Sequence, residues 1–560
     1  MKGTRRIFLL LLAVTGLLSA AIAQNPASDY RIIHEVDTIW NFGYKGVNLF
    51  SRSMHRIDIA YMSKDVEGSD IELSGYVCIP NDIYSGEQPC DGILLYNHYT
   101  QLSHSMAPTH GFATGEDLAL ANPLKPNYIV VCSDFLGFGI SEDRLQAFCL
   151  NDINGQASID CFLAARKLLV DRNISQGKYV INAGYSSGGF DAIATQRVRD
   201  MKYSDQIEFH KTLCGGMPFD IVESYKKLID KKDDPSVDAT ALPMVLGMLN
   251  HHAKLGYTTG QMFKEPFASK FEEWFFSGKY CNEEIMDSLK GKLLSEIVQD
   301  AFLSKSSDEF KTLKAAAEKY ALSKDWTPDS TQRYYVCHLL RDNVVPVEGG
   351  RAFINFLSYF DYGGKQCFGY KRSIVPERTR LQTNFFIPSS SHKELGGMGF
   401  FLNLAVTLAA TPVLYYDGEL NTHYADYVEP SKLIDIVRLL ESKGYDVRGT
   451  VQKLMGTGDA SVSGDFFTFL VQMEAKLNEM GTSTVEVLQV AMDSGVELTD
   501  ILEVYTYLTT PAAEAKARNT VSASGSQAEA LAPCLTSFYH QMLSDWLREN
   551  NVKIDEDYQP

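Results

Sequence analysis

Residues 179–189 read YVINAGYSSGG, and this stretch decides the fold. The run 179–183 is apolar, as in a buried strand, while FDAIATQRV at 190–198 has the spacing of a helix. Between them, Gly-x-Ser-x-Gly at 184–188 predicts a sharp strand-to-helix turn that exposes the hydroxyl of Ser186. An ordinary glycine-rich turn is the alternative interpretation. Catalytic partners for this serine elsewhere in the chain would favour the nucleophile.

Two later strand-like runs supply those partners. A serine hydroxyl is a poor nucleophile unless a histidine acts as its base and a carboxylate orients that histidine. Asp342 follows the run RYYVCHLL at 333–340, and His392 follows TNFFI at 383–387. Because parallel strands bring their carboxyl ends to one sheet edge, the sequence predicts Ser186 as nucleophile, Asp342 as orienting carboxylate and His392 as base.

Alternatives remain for two of these residues. Asp342 could instead cap the helix that follows it. His423, in the loop DGELNTHYADY, is the second choice for the base, and His98 and His338 also lie beside strand ends.

The oxyanion of such a reaction needs backbone donors. The N–H of Ser187, directly after the nucleophile, is the first expected donor. The second is expected from the loop that follows GILLYN at 92–97, where Thr100 or Tyr99 is the predicted residue.

The rest of the chain predicts an α/β architecture. Residues 56–63 and 71–79 alternate as an antiparallel pair at a sheet edge, and continuous apolar runs follow at 92–96, 128–132 and 208–214. A helical pattern spans 157–170, and apolar strands separated by helices imply a mostly parallel sheet with helices on both faces. About a hundred residues of helical character, 220–326, interrupt the strands.

Composition limits the classes of function. The chain has 560 residues, a net charge of -18 and 45% hydrophobic residues, which are globular values. The acidic balance argues against nucleic acid as a partner, because nucleic-acid binding needs a basic surface.

The first 23 residues resemble an export signal. Lys2, Arg5 and Arg6 precede an apolar run at 7–20, and Ala21-Ile22-Ala23 forms a cleavage site before Gln24. Without this segment, 49 basic and 70 acidic residues give a net charge of -21. No lipid-attachment cysteine follows, and no later run is long and apolar enough to span a membrane, so a periplasmic or secreted product is expected.

No cofactor or metal is expected. The sequence contains no Cys-x-x-Cys, Gly-x-Gly-x-x-Gly or Walker A motif, and the pair His251-His252 lacks a partner at ligand spacing. Cys132, Cys214 and Cys337 are expected as buried thiols, whereas Cys78 and Cys90 flank a loop and could pair.

These motifs together resemble the α/β-hydrolase superfamily, and more narrowly the secretory lipases of fungi and their bacterial relatives. The resemblance covers roughly residues 55–415 and rests on SGYVCIP at 74–80, NHYT at 97–100, SDFLGFG at 133–139, GYSSGG at 184–189 and GGMPFD at 215–220. It implies a catalytic domain over 24–430, with the triad Ser186, Asp342 and His392 and a helical cap at about 220–326. It also makes Asp134 a structural turn residue. Two departures are Tyr99, where many hydrolases have glycine, and a helical extension over 431–560.

The expected function is that of an exported serine hydrolase that cleaves small-molecule or lipid-like carboxylic esters through an acyl-enzyme. A serine aminopeptidase on the same fold and a catalytically silent binding protein are the alternatives. The cap contains an aromatic run that is either packing or a substrate wall, and its members are Phe263, Phe267, Phe271, Trp274, Phe275 and Phe276.

Overall fold

Nine strands form one sheet in a computed structural model of the chain, in the order β1-β2-β3-β5-β4-β6-β7-β8-β9. The structure describes residues 29–359 apart from gaps at 45–46, 112–114, 122–124 and 151, together with 381–386, 392, 396–416 and 419–420. The predicted export signal at 1–23, the extension at 431–560 and His423 lie outside these residues.

The strands of this sheet are β1 (Tyr30–Tyr44), β2 (Val47–Lys64), β3 (Asp70–Pro80), β4 (Gly92–Asn97), β5 (Tyr128–Ser133), β6 (Tyr179–Tyr185), β7 (Lys211–Gly215), β8 (Tyr334–Leu339) and β9 (Leu381–Phe386). The α-helices are α1 (Asn81–Tyr84), α2 (Glu116–Leu120), α3 (Asp152–Asp171), α4 (Ser187–Lys202), α5 (Ile221–Asp230), α6 (Ala241–His252), α7 (Thr259–Met262), α8 (Phe271–Phe275), α9 (Asn282–Leu289), α10 (Leu294–Ile297), α11 (Asp308–Lys319), α12 (Glu348–Tyr359) and α13 (Gly397–Leu414). A short pair, β10 (Tyr415–Tyr416) and β11 (Glu419–Leu420), forms a second sheet.

The sheet is mostly parallel, as predicted. The strands β5, β4, β6, β7, β8 and β9 pair in parallel, and β1, β2 and β3 add an antiparallel extension on one side. The prediction that the pair 56–63 and 71–79 forms the edge was wrong, because β1 lies outside β2. Residues 31–37 of β1 are exposed on both faces. The strand joins the sheet through backbone pairing with β2, so its side chains show no alternating pattern from which a strand could be predicted.

Helices cover both faces of the sheet. On one face, Ile93, Leu95 and Val131 pack with Phe162 and Leu168 of α3. On the other face, the alternating positions of the same strands pack with α13 and α2, and this cluster includes Leu94, Tyr96, Val130, Phe400, Leu404 and Leu120. The two-residue period of the strands therefore divides their side chains between two cores, which is why their sequences read as continuous apolar runs.

The strand predicted over 208–214 pairs only from Lys211 onward, where it meets Ile181 of β6. Ile207 and Phe209 are buried before the strand begins. These two residues are apolar because they pack in the core and not because they belong to the strand, so the predicted strand began too early.

The helical insertion between β7 and β8 contains α5 to α11. Its aromatic run forms an internal core: Phe271 lies with its ring centroid 4.5 Å from that of Phe263 and 5.1 Å from that of Phe275. Phe263, Phe267, Phe271 and Phe275 are all buried. Of the two roles proposed for these aromatics, packing is therefore the one that accounts for them.

Three contacts join the insertion to the loops that follow the central strands. Asn282 Nδ2 donates to the carbonyl of Thr100 at 2.6 Å, and the N–H of His104 donates to the carbonyl of Gly278 at 2.8 Å. His252 Nε2 lies 2.9 Å from the carbonyl of Gln146. The insertion is therefore in contact with the carboxyl ends of the sheet strands. Within the parts of the chain that the structure describes, no helix combines the length and apolar character needed to cross a membrane.

Candidate active site

The turn between β6 and α4 holds Ser186 in a conformation that few side chains adopt, with φ 60° and ψ -126°. Its N–H donates to the carbonyl of Gly215 at 2.8 Å, which ties the turn to β7. A Cβ on Gly184 would lie 2.0 Å from the carbonyl oxygen of Gly188, and a Cβ on Gly188 would lie 2.2 Å from that of Asn97. Both glycines are therefore required by close backbone approach.

The three residues predicted to cooperate lie in one hydrogen-bonded chain. His392 Nε2 lies 2.8 Å from Ser186 Oγ, and His392 Nδ1 lies 2.6 Å from Asp342 Oδ2. Ser186 follows β6, Asp342 follows β8 and His392 follows β9, so three parallel strands deliver them to one edge. This order and spacing match a nucleophile, its base and the carboxylate that orients the base.

Asp342 is fully enclosed at its side chain and remains a carboxylate. Burial raises its pKa, but the interactions with His392, together with those of His338 and the Val345 N–H, outweigh that effect and hold the pKa below the usual range. The N–H groups of Val344 and Val345 donate to Asp342 Oδ1 at 2.9 Å and 2.8 Å. These donors account for the turn DNVVP: its backbone fixes one oxygen, which leaves the other for His392.

Three residues contact the hydrogen-bonded triad in roles that the sequence did not predict. Tyr185 donates its hydroxyl proton to the carbonyl of His392 at 2.6 Å, and Asn343 Oδ1 accepts from the N–H of His392 at 3.2 Å. His338, considered only as a competing base, lies 3.6 Å from Asp342 Oδ2 and 2.9 Å from the carbonyl of Val345. Burial lowers the pKa of His338, which makes it a neutral support for the Asp342 turn. Of these three residues, only Tyr185 lies inside the Gly-x-Ser-x-Gly motif, and this position was the one sequence feature that could have indicated its role at the site.

The predicted oxyanion donors lie together at the carboxyl ends of β4 and β6. The N–H groups of Ser187, Tyr99 and Thr100 donate to no acceptor among the described residues. Thr100 Oγ1 donates to Ser187 Oγ at 3.0 Å, so the two loops are in contact. Ser187 is also the first residue of α4, where helix N–H groups are unpaired and favour an anion.

A cavity opens beside these donors, between the carboxyl ends of β4, β5 and β6. This is the point at which the chain order of the sheet reverses, since β4 lies between β5 and β6, and open α/β sheets bind ligands there. The cavity has apolar walls and several polar side chains. Its lining residues are His98, Tyr99, Thr100, Gln101, Phe135, Leu136, Phe138, Gln146, Ala147, Phe148, Asn154, Ser187 and Asp191.

His98 and Asp134 have structural roles in the described part of this region. Burial lowers the pKa of His98 to about 4, and its ring nitrogens lie 2.8 Å from the carbonyl of Tyr99 and 3.2 Å from that of Asp134. Asp134 accepts from Ser74 Oγ at 2.5 Å and from the N–H of Thr109 at 2.8 Å, which agrees with its expected role in a turn.

The described cysteines are free thiols. Cys78 and Cys90, which the sequence allowed to pair, are both free: Cys78 packs in one core cluster and Cys90 packs against the other. Among the residues that the structure describes, no group of three or more His, Cys, Asp or Glu is arranged to hold a metal ion.

Comparison with known proteins reveals structural rather than sequence similarity. No protein-family model and no curated protein matches the chain. The rice cell wall degrading esterase LipA from Xanthomonas oryzae is similar in structure, with 18% identity and a TM-score of 0.54 over 68% of this chain and 98% of that one. A Legionella pneumophila protein has the same identity and TM-score over 70% and 99% of the two chains.

A weaker likeness is to Candida antarctica lipase A, with 15% identity and a TM-score of 0.41 over 60% of this chain and 72% of that one, which is too low to establish a shared fold. The two stronger likenesses and the strand order lead to the same conclusion. The chain has the fold of the α/β-hydrolase superfamily.

Proposed function

We propose that this protein is an exported serine hydrolase that cleaves carboxylic esters through an acyl-enzyme. The observation that carries the proposal is the hydrogen-bonded chain from Ser186 Oγ through His392 to Asp342. Ser186 attacks the ester carbonyl while His392 Nε2 takes the hydroxyl proton. Asp342 accepts from His392 Nδ1–H, which selects the tautomer in which Nε2 is free to act as base.

His392 then transfers its proton to the leaving alcohol, and the acyl group remains on Ser186 Oγ. A water molecule attacks this acyl-enzyme with His392 again as base, and Ser186 is released with its proton restored. The N–H of Ser187, together with that of Tyr99 or Thr100, stabilises the oxyanion formed in each step. These steps require no metal or cofactor.

Esters are favoured over other acyl compounds for two reasons. LipA, whose fold is similar, is a cell wall degrading esterase, and alcohols leave more readily than amines. The helical insertion at 220–326 acts as a cap, since its Asn282 contacts the oxyanion loop at Thr100. A cap of this kind supports the resemblance to the capped, secretory lipase-like branch of the superfamily.

Replacing the nucleophile tests this mechanism. Ser186→Ala is expected to lower kcat/KM for p-nitrophenyl butanoate at least a thousandfold and to abolish labelling by a fluorophosphonate probe. Ser204→Ala, the same change at an exposed serine beyond α4, is the matched control and should retain full activity. Full hydrolysis by Ser186→Ala contradicts the proposal, and absent labelling of the folded wild type indicates a silent binding protein.

A panel of acyl-arylesters and aminoacyl-arylamides separates esterase from aminopeptidase. We expect turnover of the arylesters and little of the arylamides. Preference for the arylamides assigns the same triad to peptide chemistry instead.

Export rests on residues 1–23, a basic start followed by an apolar run and a small-residue cleavage site. Expression of the full chain in a bacterium, followed by N-terminal sequencing, is expected to find a periplasmic or secreted product beginning at Gln24. A cytoplasmic product that retains residues 1–23 contradicts export.

A further inference from the structure

The cavity beside Ser187 contains polar atoms that have no partner. Gln101 is 1% exposed, yet neither Oε1 nor Nε2 of its side chain forms a hydrogen bond within the described structure. Asn154 is 7% exposed and its Oδ1 is likewise unpartnered. Buried polar atoms are nearly always hydrogen-bonded, so several unpartnered ones on residues that line one cavity point to a ligand that completes them.

Asp191 is the third polar group of this cavity. It lies one helical turn after Ser187 in α4, is 4% exposed and accepts a side-chain hydrogen bond from Asn154 Nδ2 at 3.2 Å. None of the described lysine or arginine residues pairs with it. Burial raises the pKa of Asp191 well above its usual range, which favours the neutral carboxyl, a group that can both donate and accept.

The apolar part of the lining disfavours a charged ligand. Phe135, Leu136, Phe138 and Phe148 line the cavity, and an ammonium group there would lose its water shell in exchange for a single carboxylate. By contrast, the amide of Gln101, the carbonyl oxygen of Asn154 and the neutral carboxyl of Asp191 match the donor and acceptor of an alcohol.

We propose that this cavity binds an uncharged hydroxyl group of the ester substrate, with Gln101, Asn154 and Asp191 as its hydrogen-bonding partners. The inference rests on the proposed esterase function, since it assigns the substrate class of that same site. It makes hydroxylated esters better substrates than their plain alkyl counterparts. The cavity touches the oxyanion loop, so the hydroxyl belongs to the acyl chain or to the alcohol of the ester, and the test distinguishes the two.

Two matched substrate pairs test the proposal. On the acyl side, p-nitrophenyl 3-hydroxybutanoate is compared with p-nitrophenyl butanoate, and on the alcohol side, glycerol monobutanoate is compared with propyl butanoate. The wild type should favour the hydroxylated member of one pair, and Gln101→Leu should lower that ratio of kcat/KM about tenfold, the loss expected for one buried hydrogen bond. Comparing ratios between variants removes the intrinsic reactivity of the esters.

Thermal unfolding separates a binding role from a structural one. Because the amide of Gln101 has no protein partner, Gln101→Leu should leave the Tm unchanged or raise it. Gln101→Met, unbranched and of similar length, provides a second variant if the leucine does not fold. Gln88→Leu, the same change at an exposed loop residue before β4, is the control and should keep the wild-type ratio.

Several outcomes overturn the proposal. The proposal fails if both Gln101 variants keep the wild-type ratio of kcat/KM between hydroxylated and plain esters. It also fails if the variants lower the Tm without changing that ratio. Preference for p-nitrophenyl 3-aminobutanoate over p-nitrophenyl butanoate that is lost in Asp191→Asn assigns a cation site instead. If wild type and Ser186→Ala hydrolyse the esters equally, the mechanism itself fails. Loss in Ser186→Ala with no hydroxyl preference in the wild type overturns the cavity inference alone.

Discussion

Asp342→Asn tests the electrostatic core of the proposed mechanism with almost no change in shape. Asp342 Oδ1 is held by two backbone N–H groups, so the asparagine oxygen should take this position and turn its NH2 group toward His392. That NH2 group donates to His392 Nδ1, which forces the ring proton onto Nε2. In this tautomer Nε2 cannot accept the proton of Ser186, 2.8 Å away.

The magnitude follows from the buried geometry. A contact of 2.6 Å between His392 Nδ1 and Asp342 Oδ2, both buried, is a charge-assisted bond for the imidazolium that forms during the reaction. Losing both the tautomer and the charge is expected to lower kcat about 10⁴-fold, which at about 1.36 kcal/mol per factor of ten corresponds to about 5.4 kcal/mol of transition-state stabilisation. The fold should survive, because a neutral amide replaces a buried charge of the same size.

The assay is kcat/KM for p-nitrophenyl butanoate from pH 5 to 9, together with the rate of fluorophosphonate labelling and the circular dichroism spectrum. Asp308→Asn, at a highly exposed carboxylate in the first turn of α11, is the matched control and should retain wild-type kinetics. The reasoning is refuted if Asp342→Asn keeps at least a tenth of the wild-type kcat/KM while His392→Ala loses more than a thousandfold. In that case, Asp342 does not orient the base.

Three further variants test the supporting structure. Gly188→Ala should destabilise the fold by more than about 3 kcal/mol in urea unfolding, because its Cβ would lie 2.2 Å from the Asn97 carbonyl, whereas Gly260→Ala in open space should be neutral. Phe271→Ala should cost about 3–5 kcal/mol, since the ring is 1% exposed within the aromatic core of the insertion, while unchanged substrate preference would confirm that it is not a substrate wall. Burial lowers the pKa of His98 from 6.5 to about 4, so below pH 6.5 this histidine is protonated in the unfolded chain but stays neutral in the folded chain. The free energy of unfolding should therefore fall by up to roughly 3 kcal/mol between pH 6.5 and pH 4. His98→Asn should remove that part of the pH dependence, and an equal fall in the variant would contradict it.

The fold and the meeting of Ser186, Asp342 and His392 at one sheet edge could be predicted because each depends on local sequence. A buried strand followed by Gly-x-Ser-x-Gly specifies the Ser186 turn through backbone sterics alone. Asp342 and His392 could be located because a residue just past a parallel strand has only one sheet edge to occupy. Neither prediction required knowledge of which side chains meet across the molecule.

What could not be predicted depends on distant contacts. The edge strand β1 was not predicted, because its exposed side chains do not alternate between apolar and polar as those of a core strand do. The aromatic run in the insertion allowed two roles, and only its packing distances separate them. The cavity residues Gln101, Asn154 and Asp191 come from a loop and from two helices, and no spacing in the sequence connects them.

The position of Asp191 links the cavity to the chemistry that we propose. Asp191 lies one turn along α4 from Ser187, whose N–H at the start of the helix is expected to stabilise the oxyanion. A charged carboxylate at this position would repel that oxyanion across a region of low dielectric. Burial raises the pKa of Asp191 more than the hydrogen bond from Asn154 lowers it, and the neutral form that this favours avoids the repulsion. A buried, neutral Asp191 is therefore compatible both with a hydroxyl bound in the cavity and with an oxyanion held at the start of the same helix.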